Sequence, residues 1–337
     1  MDPRHLRPFG RTPLRVSEIS YGAAPIGGLF RAIDSETARS LLSDAWEHGV
    51  RYFDTAPMYG HGLSEHRVGA FLLDHKDPEV VVSSKVGRTL TPAPHGSFDP
   101  GAWADVPPMK ADFDYSYDGV MLQVEQILQR MMRARIDILF LHDVDWYTHA
   151  DQQPRRFREA LQGAIPALMN LREQGVVSAI GAGVNNVDVL EACLEAFDLD
   201  CLLVAGRYTL LDHDASRWLM DECARRGVAV VAGGVFNSGV LATGPVSGAK
   251  FNYAEADPEV LARAQRLLEE CEAFGVPLAA AAIQFAGAHP AVASVCLGAR
   301  TLGQQRSNYE YASWAIPPGL WDALRAQGLI SDWAPTP

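Results

Sequence analysis

The sequence predicts a single (β/α)8 barrel, and three observations carry that expectation. Strand-like and helix-like segments alternate along the chain in eight units, each too short to stand alone. The strand-like pieces are short apolar runs such as Val80-Val81-Val82, typical of parallel strands buried on both faces. Residues able to move a proton stand where several of those runs end. A doubly wound open sheet is the alternative arrangement of the same units. No composition shift or low-complexity tract marks a linker, so residues 1–337 are read as one domain, with 48% hydrophobic residues for its core.

The elements follow in order. Residues 16–21 read as a first strand running into Gly22. Asp34 is a fitting N-cap for a helix whose Ala38, Leu41, Leu42 and Ala45 recur at helical spacing, and Gly49 can close it. Residues 51–54 form the second strand, 64–73 a helix, and 80–85 the third strand. From Arg88 to Asp114 the chain is rich in Pro, Gly, His and Asp and lacks periodicity. Lys85 to His142 spans 57 residues against 31 from Asp54 to Lys85, so this unit carries a surplus about as long as that segment. Structureless loops of such length inside a compact domain tend to be functional, and 88–114 is expected to form a lid over the site.

Beyond it, Met121, Val124, Leu128 and Met131 make one apolar helix face, read as core. Residues 136–141 are the fourth strand. Ala160, Leu161, Ala164, Leu168 and Leu171 form the next helix, ended by Gly175. Residues 176–183, 200–207, 228–232 and 293–297 are strands five to eight.

Composition narrows the partners. The net charge is −12 and no basic run occurs, which argues against nucleic acid and anionic membrane surfaces. The five cysteines (Cys193, Cys201, Cys223, Cys271, Cys296) lack metal-type spacing and read as free thiols in a reducing compartment. The opening Met1-Asp2-Pro3-Arg4-His5 lacks the apolar core of a signal peptide, and the apolar stretch 277–299 is broken by Gln284, His289 and Pro290. A cytoplasmic location is expected.

Barrels place chemistry at the carboxyl ends of their strands. Asp54, Lys85 and His142 stand at the ends of strands two, three and four, and Tyr59 lies in the loop after strand two. A free phenol keeps its proton to about pH 10, and a nearby ammonium favours the phenolate. The roles follow: Tyr59 as proton donor or acceptor, Lys85 as its tuner, Asp54 as partner of the lysine, and His142 as the group orienting the substrate oxygen. Metal binding is the rival chemistry, because His142, Asp143, Asp145 and His149 cluster and His61 and His66 lie near Tyr59. Their spacing matches no standard zinc pattern, and no metal is expected. The loop at 297–301 leads into a helix beginning near Gly303, a place suited to phosphate. Gly233-Gly234 would let a flat ligand approach the backbone. No G-x-G-x-x-G follows the first strand, so a Rossmann half-domain is not supported.

These residues resemble the aldo-keto reductase superfamily. The segment Phe53-Asp54-Thr55-Ala56-Pro57-Met58-Tyr59-Gly60 is similar to its signature around the catalytic tyrosine, and Lys85 and His142 fall where the family has its other members. Residues 7–16 are similar to the hairpin that caps the barrel bottom, Asn185-Asn186 to the pair holding the nicotinamide carboxamide, and 298–308 to the segment around the adenine. The resemblance implies an extended nicotinamide dinucleotide, held by Gly22, Asp54, Asn185, Asn186, Gly233, Gly234, Val235, Gly298, Ala299, Arg300, Gln304 and Asn308.

Departures refine the expectation. Asn185 stands for the usual serine, Ala205 for a common glutamine, and Gly233 for an aromatic residue. Gly298 and Gln304 occupy positions that often carry cations for a 2′-phosphate, which favours NAD; Arg300 and Arg306 could substitute and admit NADP. With residues 205–211 and the long loop, the chain resembles the aldose 1-dehydrogenase branch acting on L-fucose, L-galactose or D-arabinose. That branch oxidises a cyclic hemiacetal to a lactone, the C1 hydroxyl giving its proton to Tyr59 and C1 a hydride to nicotinamide C4. Tyr59, His142, Asp143 and Trp146, with Asp145 nearby, are the expected substrate-pocket residues; Asp143, Asp145 and Trp146 equally suit the core or surface. A pyridoxal 4-dehydrogenase, also lactone-forming, is the near alternative. An NADPH-linked aldehyde reductase and a nucleotide-binding regulatory subunit are the further ones.

Overall fold

Eight short parallel strands close into a barrel in this computed structural model, which describes residues 1–252 and 254–337. They are β1 (Ile19–Gly22), β2 (Tyr52–Asp54), β3 (Val81–Val86), β4 (Ile138–His142), β5 (Ala179–Val184), β6 (Cys201–Ala205), β7 (Ala229–Gly233) and β8 (Val292–Leu297). Each strand pairs with the next in the chain, and β8 returns to β1 through Leu297 opposite Tyr21. The open-sheet alternative is thereby excluded.

The two-residue period of a strand sorts the side chains. Tyr52, Val81, Ile138, Phe140, Cys201, Leu203, Ala229, Val231 and Ala293 form the packing inside the barrel, while Phe53, Val82, Leu139 and Leu202 turn outward to the helices. Asp54, Lys85 and His142 continue the inward rows of β2, β3 and β4, one pleat above that apolar plug. Their convergence follows from register: Asp54 pairs with Ser83, and Lys85 with Phe140.

An amino-terminal hairpin (Leu6–Pro8 with Arg15–Ser17) closes the bottom and sends Phe9 into the interior. The expected single strand at 16–21 is therefore two pieces. Glu18 is the handover: its N–H donates to His5 of the hairpin side, and its carbonyl accepts from Val295 of β8. Its carboxylate is held by His5, Arg7 and the Asp2 N–H, each 2.7–2.8 Å away.

The segment at 88–114 also departs from expectation. Arg88–Pro92 pairs antiparallel with Met109–Phe113, from Arg88 opposite Phe113 to Pro92 opposite Met109. Prolines and charged residues hide the alternation in the sequence, so an irregular loop was expected where a β-ribbon stands. Its tip folds back on the loop after β1, through a bridge between Leu29 and Trp103.

The helix expected around 160–171 starts earlier. Gln153–Glu159 and Ile165–Glu173 are joined by a wider π turn at Ala160–Ala164, beside Pro166, which has no N–H to offer the preceding turn. The apolar stretch near 277–299 divides into the buried helix Leu278–Gly287 and β8. Among the described residues, no helix is long and apolar enough to cross a membrane. All five cysteines are free.

Candidate active site

The site is built from the inward ends of β2, β3 and β4. Lys85 is 1% exposed, and its ammonium donates to both oxygens of Asp54, at 2.9 and 2.7 Å, and to the Thr55 carbonyl at 2.8 Å. Ser83 donates to the same carboxylate at 2.6 Å. A buried ammonium matched this closely by acceptors is held in place.

Tyr59 sits in the tight turn after β2. Its N–H donates to the Ala56 carbonyl, and its own carbonyl accepts from Ser64. The turn is pressed against the loop after β1 by a glycine pair: a Cβ on Gly60, whose φ is +64°, would meet the Gly27 oxygen at 2.1 Å, and one on Gly27 would meet the Tyr59 backbone at 2.7 Å. The Tyr59 ring lies 4.6 Å from the Lys85 ammonium, 6.1 Å from the His142 ring and 5.5 Å from Trp103 of the ribbon tip. All four expected proton-handling residues therefore meet at one end of the barrel, with the tip of 88–114 against the tyrosine.

His142 is buried, and its pKa lies well below the usual imidazole range. Loss of solvent is the first cause, with Arg88 and Lys85 adding positive charge nearby. Arg88 approaches Nδ1 at 3.4 Å, and Asp143 places Oδ1 3.2 Å from Nε2. Asp145 does other work: it is fully buried, caps the helix Trp146–His149 through the Thr148 N–H, and accepts the Asn185 N–H from the end of β5. Trp146, expected to line the pocket, is 45% exposed at the start of that helix.

Two histidines of the rival metal reading are engaged elsewhere. His149 meets the Tyr115 hydroxyl at 3.0 Å, and His61 meets the Met109 carbonyl at 2.7 Å. Among the described residues, no group of three or more His, Cys, Asp or Glu side chains is placed to hold a metal ion. A cavity of about 960 Å3 opens at the opposite end of the barrel. Among its lining residues, His5 and Arg7 already pair with Glu18, which makes it part of the bottom closure.

Fitness for a dinucleotide rests on orphaned groups. Asn186 precedes the helix Val187–Ala196 without capping it, and its buried Oδ1 has no hydrogen-bond partner, a position suited to a carboxamide N–H. Gly22 and Gly298 face each other at the tops of β1 and β8, where a Cβ on Gly298 would lie 2.9 Å from the Gly22 oxygen. Gly233 ends β7, Gly234 is exposed beyond it, and Val235 turns its side chain into the core.

The helix Leu302–Ala312 begins next to this region. Thr301 accepts the Gln304 N–H and Gln304 Oε1 accepts the Arg300 N–H, so Gln304 is used as a capping residue. Asn308 is buried on that helix, Ala299 is buried before it, and Arg306 is held by Asp44 at 2.7 Å. Lys250 and Arg300 both approach the Phe30 ring, at 4.7 and 5.8 Å. Neither joins an ion pair among the described residues.

Residues 18–326 match the model of the aldo/keto reductase family. The chain belongs to the aldo-keto reductases. Two relatives of this aldo-keto reductase align over nearly the whole chain. Pyridoxal 4-dehydrogenase of Microbacterium luteolum is 41% identical, covering 96% of this chain and 98% of its own. D-threo-aldose 1-dehydrogenase of a Pseudomonas species is 39% identical, covering 96% of each. The solved glycerol dehydrogenase of Gluconobacter oxydans superposes with a TM-score of 0.74, at 20% identity over 100% of this chain and 98% of its own, and shares the fold.

Sequence reasoning missed Arg88, Trp103, Tyr115 and Lys250. Arg88 alone carried a usable signal, since it lies three residues past Lys85 where the strand leaves the barrel.

Proposed function

We propose that this aldo-keto reductase is a nicotinamide-dependent dehydrogenase that oxidises the C1 hydroxyl of a cyclic hemiacetal sugar of L-fucose, D-arabinose or L-galactose type to its lactone. The observation that carries the reading is the Lys85 ammonium held between Asp54 and the Tyr59 ring, with His142 across the site. A phenolate formed at Tyr59 would be stabilised by that ammonium, which makes Tyr59 the acceptor of the C1 hydroxyl proton. The neutral imidazole of His142 orients the reacting oxygen, with Asp143 beside it; Trp146, half in solvent on the helix that follows, would reach only the outer part of a bound substrate. The 88–114 ribbon, with Trp103 against Tyr59, acts as a cover that excludes water.

Aldo-keto reductases use nicotinamide cofactors. A bound dinucleotide would supply the hydride acceptor. Asn185 and Asn186 would hold its carboxamide, the Gly22, Gly233, Gly234 and Gly298 backbones would line its path, and Ala299, Arg300 and Asn308 would lie near its adenine end. NAD is favoured, because Gln304 caps a helix and Arg306 is spent on Asp44. The reverse reading, NADP, would rest on Arg300 and Lys250 beside Phe30.

Pyridoxal oxidation to 4-pyridoxolactone is the second reading, favoured by the 41% identical relative of that name. Both substrates are cyclic hemiacetals and ask the same of Tyr59 and His142. Initial rates of NADH and NADPH formation with L-fucose, D-arabinose, L-galactose and pyridoxal test both. Rapid NADH production from a sugar supports the first reading and from pyridoxal the second. Silence on all of them would overturn both and return the site to aldehyde reduction or nucleotide binding alone.

A further inference from the structure

Arg88 opens the ribbon directly after β3, and Asp143 follows His142 directly after β4. Asp143 adopts a left-handed backbone with φ of +51°, uncommon for a residue other than glycine. That turn brings its carboxylate back over the histidine. Oδ1 lies 3.2 Å from Nε2 of His142, while Oδ2 takes Nη1 of Arg88 at 2.8 Å. The same Nη1 stands 3.4 Å from Nδ1 of His142. Both nitrogens of one imidazole thus face the two ends of one ion pair.

The chemistry of the partners decides which nitrogen carries the proton. A guanidinium has only donors, so it can bond Nδ1 only when that nitrogen is bare. The Asp143 carboxylate, 3.2 Å from Nε2, favours a proton on that nitrogen by its charge without closing a hydrogen bond on it. The two demands agree. We propose that Arg88 and Asp143 are a positioning pair that fixes His142 as the neutral tautomer protonated at Nε2. The proposal rests on the reading of His142 as the group that orients the substrate oxygen, for which Nε2–H would be the donor.

The surroundings hold this pair in place. Arg88 is 8% exposed and stacks its guanidinium 4.3 Å from the centroid of Phe113, its partner across the ribbon. Tyr115 donates its hydroxyl to the carbonyls of His142 and Asp143, at 3.0 and 2.9 Å, at the point where the backbone turns left-handed. Arg88, Asp143, Lys85 and the Tyr59 ring are the charged and titratable groups facing the imidazole. The ribbon then has a second use beyond covering the site: it carries the residue that sets the proton on the histidine.

The test is a nitrogen spectrum of the whole protein labelled with 15N-histidine, with the His142 signals assigned by their loss in His142→Gln. The wild type is expected to show one nitrogen of His142 protonated and the other bare across neutral pH, with the proton on Nε2. A proton on Nδ1, or an imidazolium at neutral pH, would overturn the proposal. Arg88→Met and Asp143→Asn each remove one demand; asparagine tolerates the left-handed turn, and circular dichroism checks that both variants fold. Each should bring a mixture of tautomers and a loss of about 10²-fold in kcat on the best hemiacetal, with dinucleotide KM held. Arg88→Gln, which keeps a donor for Nδ1, should recover part of the loss. An unchanged spectrum and unchanged kcat in folded variants would leave the pair a mere structural contact. The spectrum needs no substrate, so a wrong tautomer and a wrong substrate are told apart.

Discussion

Lys85 holds its ammonium 4.6 Å from the ring centroid of Tyr59, within a site that buries the lysine almost completely. The lysine is committed to Asp54 and Thr55, so in the proposed reaction the phenol is the group that exchanges a proton with the substrate hydroxyl. Tyr59→Phe keeps the ring against Trp103 and removes only the hydroxyl. Hydride transfer should fall by about 10²–10⁴-fold, with dinucleotide affinity measured by fluorescence titration nearly unchanged. Turnover retained at wild-type rate would take Tyr59 out of its role.

Lys85→Met asks two questions at once. It leaves the Asp54 carboxylate buried with Ser83 as its remaining side-chain partner among the described residues, and removal of one member of a buried pair costs about 3–5 kcal/mol. A lowered urea midpoint is expected. The basic limb of the pH–rate profile should move to higher pH, because the positive charge that favours a phenolate is gone. A profile that stays in place would contradict the tuning role whatever happens to stability.

His142 gives a pH dependence of stability whose sign is fixed by its environment. Its folded pKa is held well below 6.5, first by burial and then by Arg88 and Lys85. As pH falls through about 6.5, the unfolded chain takes up a proton that the folded chain refuses. Stability is therefore lost on acidification, by up to about 1.4 kcal/mol per pH unit from this residue, and nothing is lost above that range. His149, His213 and His289 are lowered chiefly by burial too and add in the same direction. Urea unfolding between about pH 5 and 7 should show a shallower slope in His142→Gln than in the wild type. Equal slopes would mean that the imidazole is protonated in the folded state.

The barrel and its four central residues were legible because each leaves a local mark. Short apolar runs of two to four residues, closed by or just before Asp54, Lys85 and His142, state both the strand and which end faces the site. The two-residue period then makes convergence unavoidable once β2, β3 and β4 lie side by side. Other features depend on partners distant in sequence and left no such mark. Glu18 splits one apparent strand in two because its carbonyl belongs to β8 and its N–H to the hairpin. The ribbon pairs Arg88 with Phe113 across Pro-rich sequence, and Trp103 meets Tyr59 only through that folding. Asp145 and Trp146 are adjacent in sequence, yet one is a buried cap and the other half in solvent. Proximity to His142 in sequence could not separate them.

The ribbon yields the last prediction. Its tip is fixed at four points: the Ala102 carbonyl accepts the Phe30 N–H, the Gly28 carbonyl accepts the Ala104 N–H, the Trp103 ring packs on Tyr59 and the Phe98 ring on His61. An aromatic contact of this kind is worth about 0.5–1.5 kcal/mol, so Trp103→Ala should cost about three- to tenfold in kcat/KM on a hemiacetal through a raised KM or a lowered kcat. Replacing residues 93–108 by a short turn keeps the paired strands of the ribbon, and with them Arg88, while removing the cover. That variant should unfold thermally near the wild-type temperature, since the excised residues lie outside the barrel packing, yet lose more activity than Trp103→Ala. Full activity in the shortened chain would reduce the tip to decoration, whereas loss of the folded barrel would show that the tip supports the loop after β1 and, through Gly27, the turn that carries Tyr59.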